Sequence, residues 1–236
     1  MASAASSSSV RASPSFARMD FAISPTELVI QRLNRAQNRI DVLLADVTTG
    51  ETRTLLAEAA PSWVEVDDEV RWIEGGRQFL WMSERDGFRH IYLYDRSGEL
   101  VRQVTRGSWE VTEIEGLDED EEWVYFSAIN PTPAERQLFR VNVNNARVQR
   151  ISTEPGTHGI NLAPDGSTYL DVYSRNGLPP VYRLHSGDGR LIRRDVAGRQ
   201  DARAKLGDAR TFLVLTSLDN VKFRRPKYSS GINGYA

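Results

Sequence analysis

Three histidines, His90, His158 and His185, are the side chains of this chain best suited to move a proton near neutral pH. A histidine acts as a base in acyl transfer when it reaches a hydroxyl nucleophile and is itself oriented by an acid. The pentapeptide G-x-S-x-G, which lifts a serine onto a strained strand-to-helix turn, does not occur here. Gly156-Thr157-His158-Gly159 and Ser229-Ser230-Gly231 have the wrong context to replace it. His90 follows Arg89 at the head of a strand, so a hydrogen bond within its own turn is expected. His158 in a Gly-rich loop and His185 at a hairpin end are expected in surface or turn roles. A zinc site needs several converging His, Cys or carboxylate ligands; the chain has no cysteine and its histidines are scattered. No phosphate-cradling Gly loop appears either. The expectation is therefore no catalytic residue, no metal and no cofactor, and no substrate-binding residue is singled out.

Three other features carry two readings each, and a fourth is noted beside them. Glu84-Arg85-Asp86-Gly87 is either a loop touching a substrate or partner domain, or a tight turn with Glu and Arg paired in water. The turn is favoured, because exposed ion pairs are common and contribute little. Trp63, Trp72, Trp81, Trp109 and Trp123 either form a ligand surface or pack between sheets, and packing is favoured. Glu121-Glu122 is an adjacent acidic pair in an acidic turn before Trp123. Arg224-Arg225-Pro226-Lys227 either meets an acidic partner or is a solvated tail, the tail being favoured.

The elements that position these residues are short strands. Phe79-Leu80-Trp81-Met82-Ser83 and Ile91-Tyr92-Leu93-Tyr94 flank the polar turn, and Asp95-Arg96-Ser97-Gly98 turns the chain again. Trp123-Val124-Tyr125-Phe126-Ser127-Ala128 reads as a strand buried on both faces. Pro164-Asp165-Gly166 supplies a fixed φ and a residue tolerant of positive φ, closing a hairpin. Glu74-Gly75-Gly76-Arg77 and residues 117–121 hold the same place in two preceding units. A strand, a polar turn and a short basic strand recur four times, with turns starting at Asp46, Asp95, Asn142 and His185. The spacings are 49, 47 and 43 residues. An all-β period in the forties marks propeller blades. The fold expected is all-β: a partial β-propeller of about four antiparallel four-stranded blades over residues 25–195, the alternative being a sandwich or barrel.

With 30 basic and 32 acidic residues, the formal charge of −2 argues against nucleic-acid binding. No apolar run is long enough to span a bilayer as a helix. Residues 1–24 read as a disordered Ser/Ala-rich leader: seven of the first twenty residues are serine, and no acid precedes Asp20. The chain is assigned to the cytoplasm, with a plastid or other organelle as the alternative if the leader is a transit peptide. Residues 196–236 leave the repeat pattern and form a divergent segment.

Residues 28–44, LVIQRLNRAQNRIDVLL, carry a resemblance, together with SERDGFRHIYLYD, VTRGSWEVTEIEG, WVYFSA, PAERQLFRV and GTHGINLAPDGSTYLDVYS. These motifs resemble the propeller domain of dipeptidyl peptidase IV-type serine peptidases, of the prolyl oligopeptidase group. The resemblance runs from about Glu27 to about Asp195. It implies an eight-bladed propeller seated on an α/β-hydrolase domain. It also implies removal of N-terminal Xaa-Pro or Xaa-Ala dipeptides, with the propeller gating access. The hydrolase supplies the catalytic Ser, Asp and His, and family members are commonly dimers. The family's acidic pair that holds the substrate amine precedes the matched region, so it is not carried onto Glu121-Glu122. The expectation is a non-catalytic propeller portion of such a peptidase, reaching peptide substrate only through a hydrolase domain. The alternative is a stand-alone propeller that binds a protein or peptide. Exposed blade edges imply self-association or a partner chain.

Overall fold

The computed structural model describes residues 15–66 and 70–195. Its strands run in chain order through four antiparallel meanders. The first blade comprises β1 (Ser15–Phe21), β2 (Glu27–Leu33), β3 (Arg39–Asp46) and β4 (Thr52–Ala59). The second comprises β5 (Arg71–Ile73), β6 (Gln78–Ser83), β7 (His90–Asp95) and β8 (Leu100–Gln103). The third holds β9 (Glu110–Leu117), β10 (Trp123–Ile129), β11 (Arg136–Asn142) and β12 (Val148–Arg150). The fourth holds β13 (Thr157–Leu162), β14 (Thr168–Arg175), β15 (Leu178–Ser186) and β16 (Leu191–Asp195). A single parallel pairing, Arg136 with Thr157, joins the third blade to the fourth. This is the expected all-β arrangement of four four-stranded blades.

A short polar turn, of two lengths among the blades, closes the third and fourth strands of each blade, and its chemistry is local. The Asp46 carboxylate accepts the Thr48 and Thr49 N–H groups at 2.7 and 3.0 Å. Asp95 accepts those of Ser97, Gly98 and Glu99 at 2.9–3.0 Å. The Asn142 amide oxygen accepts Asn144 and Asn145 N–H at 3.1 and 3.2 Å. A short side chain that caps its own following amides closes the turn by local contacts. In the fourth blade Ser186, not His185, starts the turn: Gly189 N–H bonds its carbonyl as Gly98 N–H bonds that of Asp95. The fourth repeat is thus one residue later than the sequence alignment places it. Gly50, Gly98 and Gly189 take φ of 75°, 98° and 97° at the left-handed position, where the third blade has Ala146 at 58°.

Blades stack through three seams. The first buries Val29, Leu33, Val42, Phe79, Trp81 and Tyr94, among others. The second buries Leu80, Ile91, Val124, Phe126, Phe139 and Val141. The third has a smaller apolar cluster, Tyr125, Leu138, Ile151 and Tyr169. Turn and neighbour interlock: a Cβ on Gly98 would lie 1.9 Å from the Leu55 carbonyl oxygen of the preceding blade. Arg53 donates across the same seam to the Arg96 carbonyl at 2.6 Å, and Arg102 donates across the next to that of Asn144.

β1 lies inside the segment read as a disordered leader, so the propeller begins before residue 25. The strand is held by its backbone pairing with β2, from Ser15–Leu33 to Phe21–Leu28. Met19 and Phe21 are exposed, so burial imposes no apolar alternation for composition to detect. The serine-rich residues 1–14 and the whole of 196–236, including the Arg224-Arg225-Pro226-Lys227 cluster and Ser229-Ser230-Gly231, lie outside the described residues.

Candidate functional site

Polar side chains collect at three places along the seams. At the first, the 84–87 turn projects Arg85 back onto the preceding blade. Its guanidinium pairs with Glu58 and the Tyr94 hydroxyl, and lies 4.4 Å over the Tyr92 ring. Glu58 also accepts the Trp81 indole N–H at 3.1 Å. Asp86 accepts the Tyr92 hydroxyl at 2.7 Å. Burial alone would lower the Arg85 pKa, but Glu58 and Tyr94 outweigh it and hold the guanidinium charged. Burial, then the Asp86 carboxylate, pushes the Tyr92 phenol up. The turn is closed by Gly87 N–H to Glu84 O at 2.8 Å. Arg85 does not pair with Glu84 in water, as the sequence suggested; it ties two blades together. A cavity of about 300 Å³ beside it is lined by Glu58, Pro61, Trp63, Met82 and Arg85.

The second place is β9. A register shift against β10 leaves Glu115 out of the pairing, and its carboxylate accepts the Ser127 hydroxyl. Burial raises the Glu115 pKa to about 7; the Ser127 hydrogen bond opposes this and Glu113 adds to it. Arg71 donates to the neighbouring Ile114 carbonyl at 3.1 Å. Arg71 and Trp72 also line a cavity of about 600 Å³ with Val29 and Gln31, and the Gln31 amide oxygen is buried without a partner.

The third place is the fourth blade, where His158 and Asp171 meet at 2.9 Å with both side chains 2% exposed. His158 is therefore buried, against the surface role expected from its Gly-rich surroundings. Strand pairing sets His158 opposite Tyr173, which puts Asp171 on the diagonal of the same face. That cue was available in the hairpin register. Glu115 had no comparable cue, since alternation points it outward and only the irregular pairing turns it in.

His90 makes a different use of its ring. Nε2–H donates to the Gly107 carbonyl at 3.0 Å, and Nδ1 faces the Thr105 hydroxyl at 3.2 Å. Thr105 also accepts Ile91 N–H at 2.9 Å. The next blade repeats this device with Gln137, Ser152 and Leu138: Ser152 donates to the Gln137 amide oxygen at 2.6 Å and accepts Leu138 N–H at 2.8 Å. His90 therefore bonds not within its own turn, as its position suggested, but to the connection between β8 and β9, 15 and 17 residues on. Among the described residues no serine hydroxyl bonds a histidine, and no group of three ligands could hold a metal. Glu121 accepts Glu74 N–H of the preceding blade, and the Glu122 carbonyl accepts Val143 N–H at 2.8 Å. Trp81 is buried and Trp109 stacks on Phe126 and Phe139, whereas Trp63 is 54% exposed and bonds Glu65.

Among the described residues this geometry supplies polar ties across the seams, the cavities named above and no nucleophile–base pair. Comparison with known proteins gives it a context. Residues 4–180 match the dipeptidyl peptidase IV (DPP IV) N-terminal region. A probable dipeptidyl peptidase 4 of Emericella nidulans is 23% identical over 184 residues, covering 68% of this chain and 24% of the relative. An inactive dipeptidyl peptidase 10 of Rattus norvegicus is 29% identical over 187 residues, covering 70% and 23%. The crystal structure of Porphyromonas gingivalis dipeptidyl peptidase 4 superposes with a TM-score of 0.73 at 26% identity, over 82% of this chain and 27% of that one. The chain spans about a quarter of the length of these relatives. Four repeated blades, their seams and this match together place the chain in the dipeptidyl peptidase IV N-terminal region family.

Proposed function

We propose that this chain is a propeller portion of a dipeptidyl peptidase IV-like serine peptidase, and that its own residues do not hydrolyse peptides. The parent activity in this reading is release of N-terminal Xaa-Pro or Xaa-Ala dipeptides. The propeller's part is to shape and gate the route by which peptide reaches a hydrolase domain. The observation that carries the reading is the family match over residues 4–180, which ends within the fourth blade. The side chains support it. His90 and His158 are consumed by hydrogen bonds inside blades, and the sequence holds no G-x-S-x-G elbow. Nucleophile, base and oxyanion hole then lie outside these 236 residues. The test is direct: the purified chain should neither cleave a Gly-Pro-amide reporter nor take up an active-serine reagent. Cleavage together with labelling would overturn the non-catalytic reading.

The second reading is an interaction module. It is favoured by apolar side chains exposed at both ends of the stack: Met19, Phe21 and Ile23 near the first strand, Tyr182, Leu191 and Ile192 in the last two. Such side chains and open strand edges favour association. Sedimentation of the purified chain should show self-association, and a monodisperse monomer would count against it. The proposed compartment is the cytoplasm; a fluorescent fusion of the intact chain found in a plastid would move it there.

A further inference from the structure

The third seam contains two histidines and a carboxylate packed together. His158 on β13 has two ring nitrogens and two fixed partners. Nε2 lies 3.0 Å from the Glu154 carbonyl, which can only accept, so Nε2 carries a hydrogen. Nδ1 lies 2.9 Å from Asp171 Oδ2 on β14. His185 on β15 approaches the same carboxylate oxygen from the other side. Its Nδ1 donates to the Gly189 carbonyl at 3.0 Å, and its Nε2 sits 3.9 Å from Asp171 Oδ2, buried and without a hydrogen-bond partner. The second Asp171 oxygen is also buried and unpartnered.

Counting hydrogens makes the consequence plain. With each imidazole neutral, its one hydrogen is committed to a backbone carbonyl. The remaining nitrogens are then lone pairs, and both face an ionised carboxylate. A lone pair and a carboxylate oxygen 2.9 Å apart, with both side chains 2% exposed, is an unfavourable contact between two acceptors. One added hydrogen on the line between Nδ1 and Oδ2 turns that contact into a charge-assisted hydrogen bond, whichever atom holds it.

The surroundings fit a neutral total. Arg183 on β15 lies 4.2 Å over the Tyr173 ring and pairs with both Glu154 oxygens at 2.7 and 3.1 Å. Arg194 on β16 lies 3.9 Å from the same Glu154 carboxylate. Tyr169 stacks on His185 at 5.0 Å, and Tyr173 packs on His158 at 5.0 Å while donating its hydroxyl to the Pro155 carbonyl. Asp188, in the turn after β15, and Tyr125 on β10 act on this side of Tyr169. The segment 152–156 is thereby anchored to the fourth blade by His158, Arg183 and Tyr173, and to the third by Gln137, which donates to the Glu154 carbonyl at 3.0 Å.

We propose that His158, Asp171 and His185 form a proton-dependent clasp that fastens the segment between the third and fourth blades. The folded clasp binds one proton on the His158–Asp171 line. The same side chains in an unfolded chain have released it above the ordinary histidine range, near ~6.5. Folding therefore takes up a proton in mildly alkaline solution, and the clasp weakens as pH rises.

Asp171→Asn tests this, because an asparagine amide donates to a neutral His158 Nδ1 and completes the contact with no extra proton. Urea unfolding of the 236-residue chain at pH 6.5, 7.5 and 8.5 reads the effect. The parent's unfolding constant should rise with pH by up to about tenfold per unit more steeply than that of Asp171→Asn. His158→Gln should flatten the dependence in the same way. His185→Gln should leave it, since the bound proton lies on the other histidine. Ring ¹⁵N shifts of the parent at pH 7.5 give a second readout that needs no variant. Expected is a His158 ring without a free lone-pair nitrogen or, if the proton sits on oxygen, a protonated Asp171 carboxyl. Equal pH slopes in the parent and Asp171→Asn, or an ionised Asp171 beside a neutral His158, would overturn the proposal.

Discussion

The second and third seams solve the same problem with opposite materials. Between the second and third blades, Trp109, Phe126 and Phe139 stack with ring centroids 5.6–6.0 Å apart among aliphatic residues. Between the third and fourth, four buried apolar residues are supplemented by His158, Asp171, Arg183 and Glu154. An apolar seam gains stability from area and is indifferent to which atom meets which. A polar seam depends on which buried groups find partners, and Asp171 Oδ1 and His185 Nε2 do not. The apolar seam should therefore fail by cavity formation, and the polar one by single-atom or single-proton changes.

Phe126→Ala should produce the largest loss. The ring is fully buried between two aromatic neighbours, and truncation there costs about 3–5 kcal/mol. Calorimetry or urea unfolding would read it, and a loss under about 1 kcal/mol would break the contrast. Gly98→Ala comes next, at about 3 kcal/mol: a left-handed φ of 98° is unfavourable for alanine, and its Cβ would overlap the Leu55 carbonyl.

Glu115 sharpens the comparison, because it is a titrating group half-buried in the third blade beside Ser127. Its folded pKa of about 7 lies above the ordinary 4.5, so the folded chain keeps a proton that the unfolded chain has lost. Stability from this group is complete below pH 4.5 and declines as pH rises to about 7. Glu115→Gln should remove that decline, worth at most about 3 kcal/mol and less in practice given the partial exposure of the side chain. Equal stability curves for parent and variant between pH 4.5 and 8 would show that Glu115 is not buried as a carboxyl. Arg183→Met leaves Glu154 half exposed and able to recruit water, so about 1–2 kcal/mol is expected, readable as a shift in urea midpoint. Ala146→Gly should be a small gain, about 0.5 kcal/mol. It relieves a φ of 58° at the turn position where the first blade has Gly50, offset by glycine's extra unfolded entropy.

The blades were legible because their determinants are local. Asp46, Asp95 and Asn142 announce the turns from which the period is counted, and each turn is closed by its own side chain. The fourth turn was misplaced by one residue because Ser186 lacks a carboxylate or amide, and Asp188 caps from within the turn instead. β1 was missed because strand pairing with β2, not burial, holds it. The family resemblance was legible for another reason: its motifs pair buried strands with turns closed by their own side chains. Asn34, in LNRAQNR, accepts Asn38 and Arg39 N–H at 3.0 and 3.2 Å.

Interactions across seams were not legible. Arg85 stands beside Glu84 in sequence and pairs with Glu58 of another blade. Asp171, thirteen residues from His158 and fourteen from His185, bridges the two only because adjacent strands lay all three on one face. Sequence alone determined that this chain would form short antiparallel strands in a repeating four-stranded unit, because turn chemistry and period-two alternation act over a few residues. The tertiary structure decided which blade each charge would serve, because a charge's partner is chosen by desolvation across a seam, and the seam exists only once two blades have met.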